Sequence, residues 1–298
     1  MSSEALAPQV ELPLRIGARK VGRVRRRLVR IGVPLEQALA GTAPDLPALP
    51  PGAHGYYLRA VPIAAGQVGP ADMRSFVRHT YTRHYADLSL GYDAYLGTFS
   101  AKSRSSLKRK RRKLEERCGG GLDVRLYRSP AEMETFHQAA RALSALTYQE
   151  RLLDAGLPAD ALGEMQDLAR RDAARAWLLF IDGRPASYLY APAEGTALRY
   201  AYLGYHPGHS DLSPGTVLQL EAMRMLMEER RFAWFDFTEG DGQHKRQFAT
   251  GAVDSLDLLL LRPTFANLAA ARTLTGFDGA VALAKRLGLR KIAAPLSR

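Results

Sequence analysis

The chain has 298 residues, a formal net charge of +12 and one cysteine, Cys118. A single cysteine excludes an internal disulfide framework and a cysteine-rich zinc site. No apolar run approaches the length of a membrane-spanning helix, and Met1 to Pro13 lacks the apolar core of a signal peptide. The composition is that of a globular protein of one large or two modest domains, and the expected compartment is the cytoplasm.

The positive charge is concentrated. Residues 15–30 hold eight basic residues and no acidic one, and residues 102–113 hold eight more, again with no acid. Without those sixteen charges the balance falls to −4. Two segments, rather than a general surface field, are therefore the candidates for contact with phosphates, RNA or an anionic membrane surface at the inner face of the membrane. A solvated helix face is the ordinary alternative for each.

In chain order, residues 1–51 read as a basic extension and linker. Leu14, Ile16, Val21, Val24, Leu28 and Ile31 are interleaved with the arginines, a pattern compatible with a basic amphipathic helix. Pro44, Pro47, Pro50, Pro51 and Gly52 form a linker. A strand is expected over Tyr56 to Ile63, then a helix from Pro70 carrying Phe76, Val77, Tyr81 and Tyr85. The basic run after Phe99 enters a helix with the narrow apolar stripe Leu107, Leu114 and Cys118, stopped by Gly119 to Gly121. A short strand, Leu122 to Arg128, precedes the capping box Ser129-Pro130-Ala131-Glu132. Two helices follow, broken at Gly156-Leu157-Pro158, the second over Ala159 to Ala174. Strands Ala176 to Ile181 and Ala186 to Ala191 are joined by the turn Asp182-Gly183. The tail from Thr264 reads as two modest helices.

The segment Leu198 to Ala249 organises the rest. A strand over Leu198 to Tyr205 leads through a loop to Ser213-Pro214-Gly215-Thr216. Here Ser213 is the expected N-cap and Pro214 the first helical residue. The helix runs to about Arg230, and a buried-type strand, Phe232 to Phe237, follows it. A final strand covers Ser255 to Leu261. The free N–H groups and dipole of the Ser213 helix start suit a phosphate, and Gly215 permits close approach of the backbone. Asp236, Glu239 and Lys245 lie at the end of the next strand. A plain helix start and an ion-paired strand-end acid are the competing explanations.

This order of elements resembles the GNAT superfamily of acyltransferases. The closer similarity is to the CelD-like acetyltransferase domain, related to Fem-type aminoacyl-tRNA-dependent transferases. Three stretches carry it: Ser103-Arg104 through Arg112, Leu212-Ser213-Pro214-Gly215, and Asp236-Phe237 through Gly242 to His244-Lys245. His244 stands where that family usually has Tyr, and the Gly-rich pyrophosphate loop of ordinary acetyl-CoA enzymes is absent. The resemblance implies an α/β fold with a mixed central sheet flanked by helices. It implies a division into a partial N-terminal lobe (52–121), an acyltransferase core (122–262) and a helical tail (263–298). The implied reaction moves an acyl group from acyl-CoA, or from aminoacyl-tRNA, to a small-molecule amine, without a metal. Asp236 or Glu239 would act as base and Lys245 would stabilise charge. Ser213, Gly215, Thr216 and Arg104 would hold the donor phosphates, and backbone N–H groups near Leu203–Gly204 would face the oxyanion. The tRNA alternative gives residues 102–113 and 15–30 a substrate to hold. A non-enzymatic nucleic-acid binder explains the two basic segments but gives the Asp236–Lys245 stretch no role. His206 and His209, like His79 and His84, lack a zinc ligand set.

Overall fold

A computed structural model describes residues 8–16, 19–147, 156–240 and 242–287. Its elements are, in chain order, β1 (Gln9–Ile16), β2 (Arg19–Gly32), α1 (Leu35–Leu39), β3 (Gly55–Pro62), β4 (Arg74–Asp87), α2 (Tyr92–Gly97), α3 (Ala101–Arg117), β5 (Asp123–Tyr127) and α4 (Pro130–Ser144). They continue with α5 (Leu162–Arg170), β6 (Ala174–Ile181), β7 (Arg184–Glu194), β8 (Ala197–Arg199), β9 (Tyr202–Tyr205) and α6 (Pro214–Glu229). The last are β10 (Trp234–Asp236), α7 (Gln243–Phe248), β11 (Gly251–Leu261) and α8 (Phe265–Arg286). The fold is α/β, with mixed strand pairing and flanking helices. Two compact units are present: one holds the residues up to Thr82 and those from Val253 onward, the other Arg83–Ala252.

In the first unit, β1 and β2 form an antiparallel hairpin, β2 runs parallel to β3, and β3 pairs antiparallel with β11. Helix α8 packs Ala271 and Leu274 against Val10, Leu12, Leu28 and Leu259. The described part of the basic segment is thus strand, not the amphipathic helix expected: residues 15–16 end β1, 19–30 belong to β2, and 17–18 lie outside the described residues. Leu28 is fully buried between its two neighbouring strands. Exposed Arg23 and Arg25, with Lys20, converge on the carboxylate of Glu11. The side chains of Arg25 and Lys20 hold that acid below its ordinary pKa. The helix expected after Pro70 is likewise a strand, β4. Its run Phe76-Val77-Arg78-His79-Thr80-Tyr81-Thr82 is rich in β-branched and aromatic residues, and tertiary pairing overrides the helical spacing. Among the described residues the tail is one helix, α8; residues 288–298, where part of the two-helix expectation falls, lie outside them.

In the second unit, β5, β6 and β7 form an antiparallel meander. Every residue of β6 is buried, as expected of a strand covered on both faces. Trp177 and Leu179 face a core with Val217, Met223 and Phe235, while Ala176, Leu178 and Phe180 face Phe136, Met133 and Tyr188. Helices α3 and α6 supply the first core and α4 and α5 the second. The capping box starts α4: the Ser129 hydroxyl accepts from the Glu132 N–H at 3.3 Å, and the Glu132 carboxylate accepts from the Ser129 N–H at 2.8 Å. The second of the two expected helices is shorter than 159–174, covering only Leu162–Arg170.

Beyond β7 the expected single strand over Leu198 to Tyr205 is two. β8 pairs with the end of β7 at Ala193 and Glu194, and β9 pairs with the earlier residues Ser187 to Tyr190. Tyr200 and Ala201 lie between them. On its other side β8 is joined in parallel by β10, reached through the crossover helix α6, and β10 pairs antiparallel with Tyr85–Asp87 of β4.

Candidate active site

β9 and β10 diverge, and the divergence makes the site. The last rung between the two arms is the Tyr200 N–H donating to the Asp236 carbonyl at 2.8 Å. Past it, Phe237 donates to the His84 carbonyl and follows β4, while β9 stays with β7 alone. Antiparallel pairing bonds alternate residues. Because His206 N–H donates to the Ala186 carbonyl, the residues of β9 turned toward β7 are Tyr202 and Gly204. The N–H and C=O groups of Leu203 and Tyr205 therefore point to the free edge.

A cavity of about 560 Å³ opens along this edge, lined by Tyr200, Leu203, Gly204, Tyr205, Gly215, Thr216, Gln219, His244 and Phe248, among others. Its far wall is the first turn of α6. Pro214 occupies the first helical position, and the N–H groups of Thr216 and Val217 both donate to the Ser213 carbonyl. Gly215 brings this turn onto β9: a Cβ there would sit 3.0 Å from Leu203 Cδ2 and 3.4 Å from the Tyr205 ring. Ser213 does not cap the helix. It is in the left-handed conformation, with φ of 53°, and its side chain makes no capping bond. Of the expected donor-binding residues, Gly215 and Thr216 line the cavity; Ser213 and Arg104 are not among its lining residues. Arg104 instead donates to the carbonyls of Phe99 and Gly97, closing the start of its own helix.

The three expected catalytic residues lie near one another around Thr238, outside the cavity lining. Asp236 is 3% exposed and lies in an ion pair with the equally buried Arg83: Nε is 3.2 Å from both carboxylate oxygens and Nη2 is 2.6 Å from one. It also accepts from the Thr238 N–H at 2.8 Å. Glu239 is exposed, and its backbone carbonyl accepts from Lys245 Nζ. Lys245 reaches Thr238 Oγ1 at 3.4 Å, and burial lowers its pKa against the opposing pull of Glu239 and Asp236. None of the three lines the cavity.

The cavity has its own titratable pair. His244, on α7, packs against Tyr200 with ring centroids 5.9 Å apart. Burial, then the neighbouring charge of Lys245, lowers the His244 pKa below its ordinary 6.5, so the imidazole is neutral at pH 7. Burial raises the Tyr200 phenol well above its ordinary value, so it keeps its proton. A neutral base and a protonated donor thus share one wall. Gly242 leaves room for the imidazole; a Cβ there would meet the ring at 3.0 Å. Gln219, one turn beyond Gly215, is 3% exposed, and neither end of its amide has a hydrogen-bond partner among the described residues. His244 was visible in the sequence only as a departure from the family pattern, and Gln219 carried no signal within an apolar helix. Among the described residues no group of His, Cys, Asp or Glu is arranged to hold a metal ion.

Residues 101–246 match the model of the acetyltransferase (GNAT) domain. Solved structures share the wider fold. The C-terminal domain (DUF2156) of a protein described as a lysylphosphatidylglycerol synthetase, from Agrobacterium fabrum, is 12% identical; 77% of this chain and 73% of that one are covered, with a TM-score of 0.50. FemX is 14% identical over 74% of this chain and 75% of its own, with a TM-score of 0.51. A conserved protein of unknown function from Bacteroides thetaiotaomicron VPI-5482 is 10% identical over 70% of each chain, with a TM-score of 0.52. At these identities the likeness is one of fold. No curated protein matches the sequence.

Proposed function

We propose that the domain is an N-acyltransferase that moves an acyl group from the thioester of an acyl-CoA to an amine. The observation that carries this reading is the free edge of β9 facing the first turn of α6 across one cavity. The donor's amide-bearing arm can add to that edge as a strand would, and its phosphates suit the helix start. The substrate amine is the nucleophile, so the protein's task is to align two reactants and manage protons. His244 takes the first proton from the attacking ammonium. The nitrogen bonds to the carbonyl carbon, and the N–H groups of Leu203 and Tyr205 face the developing oxyanion. As the C–S bond breaks, the Tyr200 hydroxyl protonates the thiolate and recovers a proton from the nitrogen. Asp236 and Arg83 act at a distance by fixing the end of β10. Titration of the full chain with acetyl-CoA in a calorimeter tests the donor. Saturable binding that is lost in Gly215→Glu, with an unchanged circular dichroism spectrum, is expected. Absence of saturable binding, or binding indifferent to the substitution, overturns the reading.

A second reading, an aminoacyl-tRNA-dependent transferase, is favoured by one feature. Lys102, Lys108 and Arg109 are exposed on α3 and have no ion-pair partner among the described residues. On the same helix Lys113 bonds Asp211, in the segment that leads into α6. Tight, salt-sensitive binding of aminoacyl-tRNA without binding of acetyl-CoA would establish that donor instead. The chemistry assigned to His244 and Tyr200 serves an ester as well as a thioester.

A further inference from the structure

The opposite face of the same strand segment carries a second, smaller cavity, of about 200 Å³, lined by Asp160, Glu164, Met165, Tyr190, Arg199 and Tyr202, among others. It lies under the start of α5 and against β7, wholly within the second unit. Its floor is Tyr190, which is 4% exposed and stacks on Tyr202 with ring planes 19° apart. The Tyr190 hydroxyl is buried and has no hydrogen-bond partner among the described residues, although a buried hydroxyl nearly always finds one. It feels the charges of both Glu164 and Arg199. Around the rim, Asp160, Glu164 and Arg199 are exposed and take part in no ion pair among the described residues. Two carboxylates and one guanidinium therefore face a shared space without neutralising one another.

We infer that this cavity is a binding site for a small molecule bearing both an ammonium and a carboxylate group, of the size of an α-amino acid. The guanidinium of Arg199 offers a planar, two-pronged donor that matches a carboxylate. Asp160 and Glu164 offer acceptors to an ammonium, which has three donors and no acceptor. The Tyr190 hydroxyl gains the partner it lacks, from either end of the ligand. The volume is below the roughly 300–1,000 Å³ of sites for drug-sized ligands, which excludes a nucleotide and suits an amino acid. The net charge of the rim favours ligands that are zwitterionic or cationic over anionic ones. This site is independent of the donor cavity: Tyr200, Leu203, Gly204 and Tyr205 face the first, and Arg199, Ala201 and Tyr202 the second. It therefore stands whether or not acyl-CoA is the donor.

The test is a titration of the full chain, followed by calorimetry and by nuclear magnetic resonance, with L-alanine, L-lysine and L-glutamate. Methylamine and acetate serve as the two half-ligands. Saturable binding of L-alanine and L-lysine is expected, weaker binding of L-glutamate, and none of either half-ligand at matched concentration. Arg199→Gln should weaken L-alanine at least tenfold, and Glu164→Gln should weaken L-lysine more than L-alanine. Both residues are exposed, so neither change threatens the fold, and circular dichroism verifies that. No binding of any amino acid overturns the proposal. So does binding that Arg199→Gln leaves unchanged, or binding of methylamine or acetate as tight as that of L-alanine.

Discussion

Arg83 grips Asp236 through two nitrogens, with both groups nearly excluded from water. The pair fastens β4 to β10. A buried pair broken on one side leaves an uncompensated charge, which costs about 3–5 kcal/mol. Asp236→Ala should therefore lose stability of that order in urea titration. A joint Arg83→Met, Asp236→Leu replacement should recover much of the loss. If Asp236→Ala left the unfolding midpoint unchanged while abolishing turnover, the acid would be returned to catalysis.

His244→Gln should lower kcat by about 10²- to 10⁴-fold, the usual contribution of a positioned acid–base group. The pH profile separates this from a packing effect. A base works deprotonated, so kcat/KM of the native enzyme should fall as pH drops through the folded-state pKa, which lies below 6.5. The variant should lose that acid limb. The same lowered pKa links to stability. The unfolded chain takes up the proton first as pH falls below 6.5, so stability declines there and levels off below the folded-state value.

Gly215 and Leu203 should be coupled. The Cβ of Gly215→Ala would press on a side-chain methyl of Leu203 at 3.0 Å, and overpacking of this kind costs about 1–3 kcal/mol. Leu203→Ala makes the space. A double-mutant cycle on stability and on acetyl-CoA affinity should show the pair's interaction energy, and strict additivity would refute the contact.

The basic helix divides into two sets. Arg111 bonds the buried Glu221 on α6 at 2.8 Å, where Arg224 also bonds it. Lys102, Lys108 and Arg109 face solvent. Arg111→Ala should destabilise the fold by leaving Glu221 with one partner fewer. Reversing Lys102, Lys108 and Arg109 to Glu should leave thermal stability within about 0.5 kcal/mol, as surface changes do. A CoA-dependent enzyme tolerates the triple change; a tRNA-dependent one loses affinity and salt sensitivity together.

The sequence was most readable where local signals were strong and agreed with tertiary context. Ser129 to Glu132 announced α4, Asp182-Gly183 the β6–β7 turn, and Pro214-Gly215 the start of α6. It was least readable where pairing partners lie far away. Residues 15–30 look like a helix by interleaving alone; only β1 and β3, on either side, make Leu28 a strand residue. The Asp236–Arg83 pair joins residues 153 positions apart, so an acid at a strand end was readable but its captor was not. The break between β8 and β9 comes from β7 accepting both strands at different residues, which no pattern within 198–205 encodes.

A strand held on one side only has an open ledger of amide protons. Those of Leu203 and Tyr205 should exchange with heavy water far faster than those of Tyr202 and Gly204, which β7 protects. A donor lying along β9 would slow the first two and leave their neighbours unaltered. The splay is thus its own reporter: occupancy of the site can be read from two alternate residues, without label or turnover.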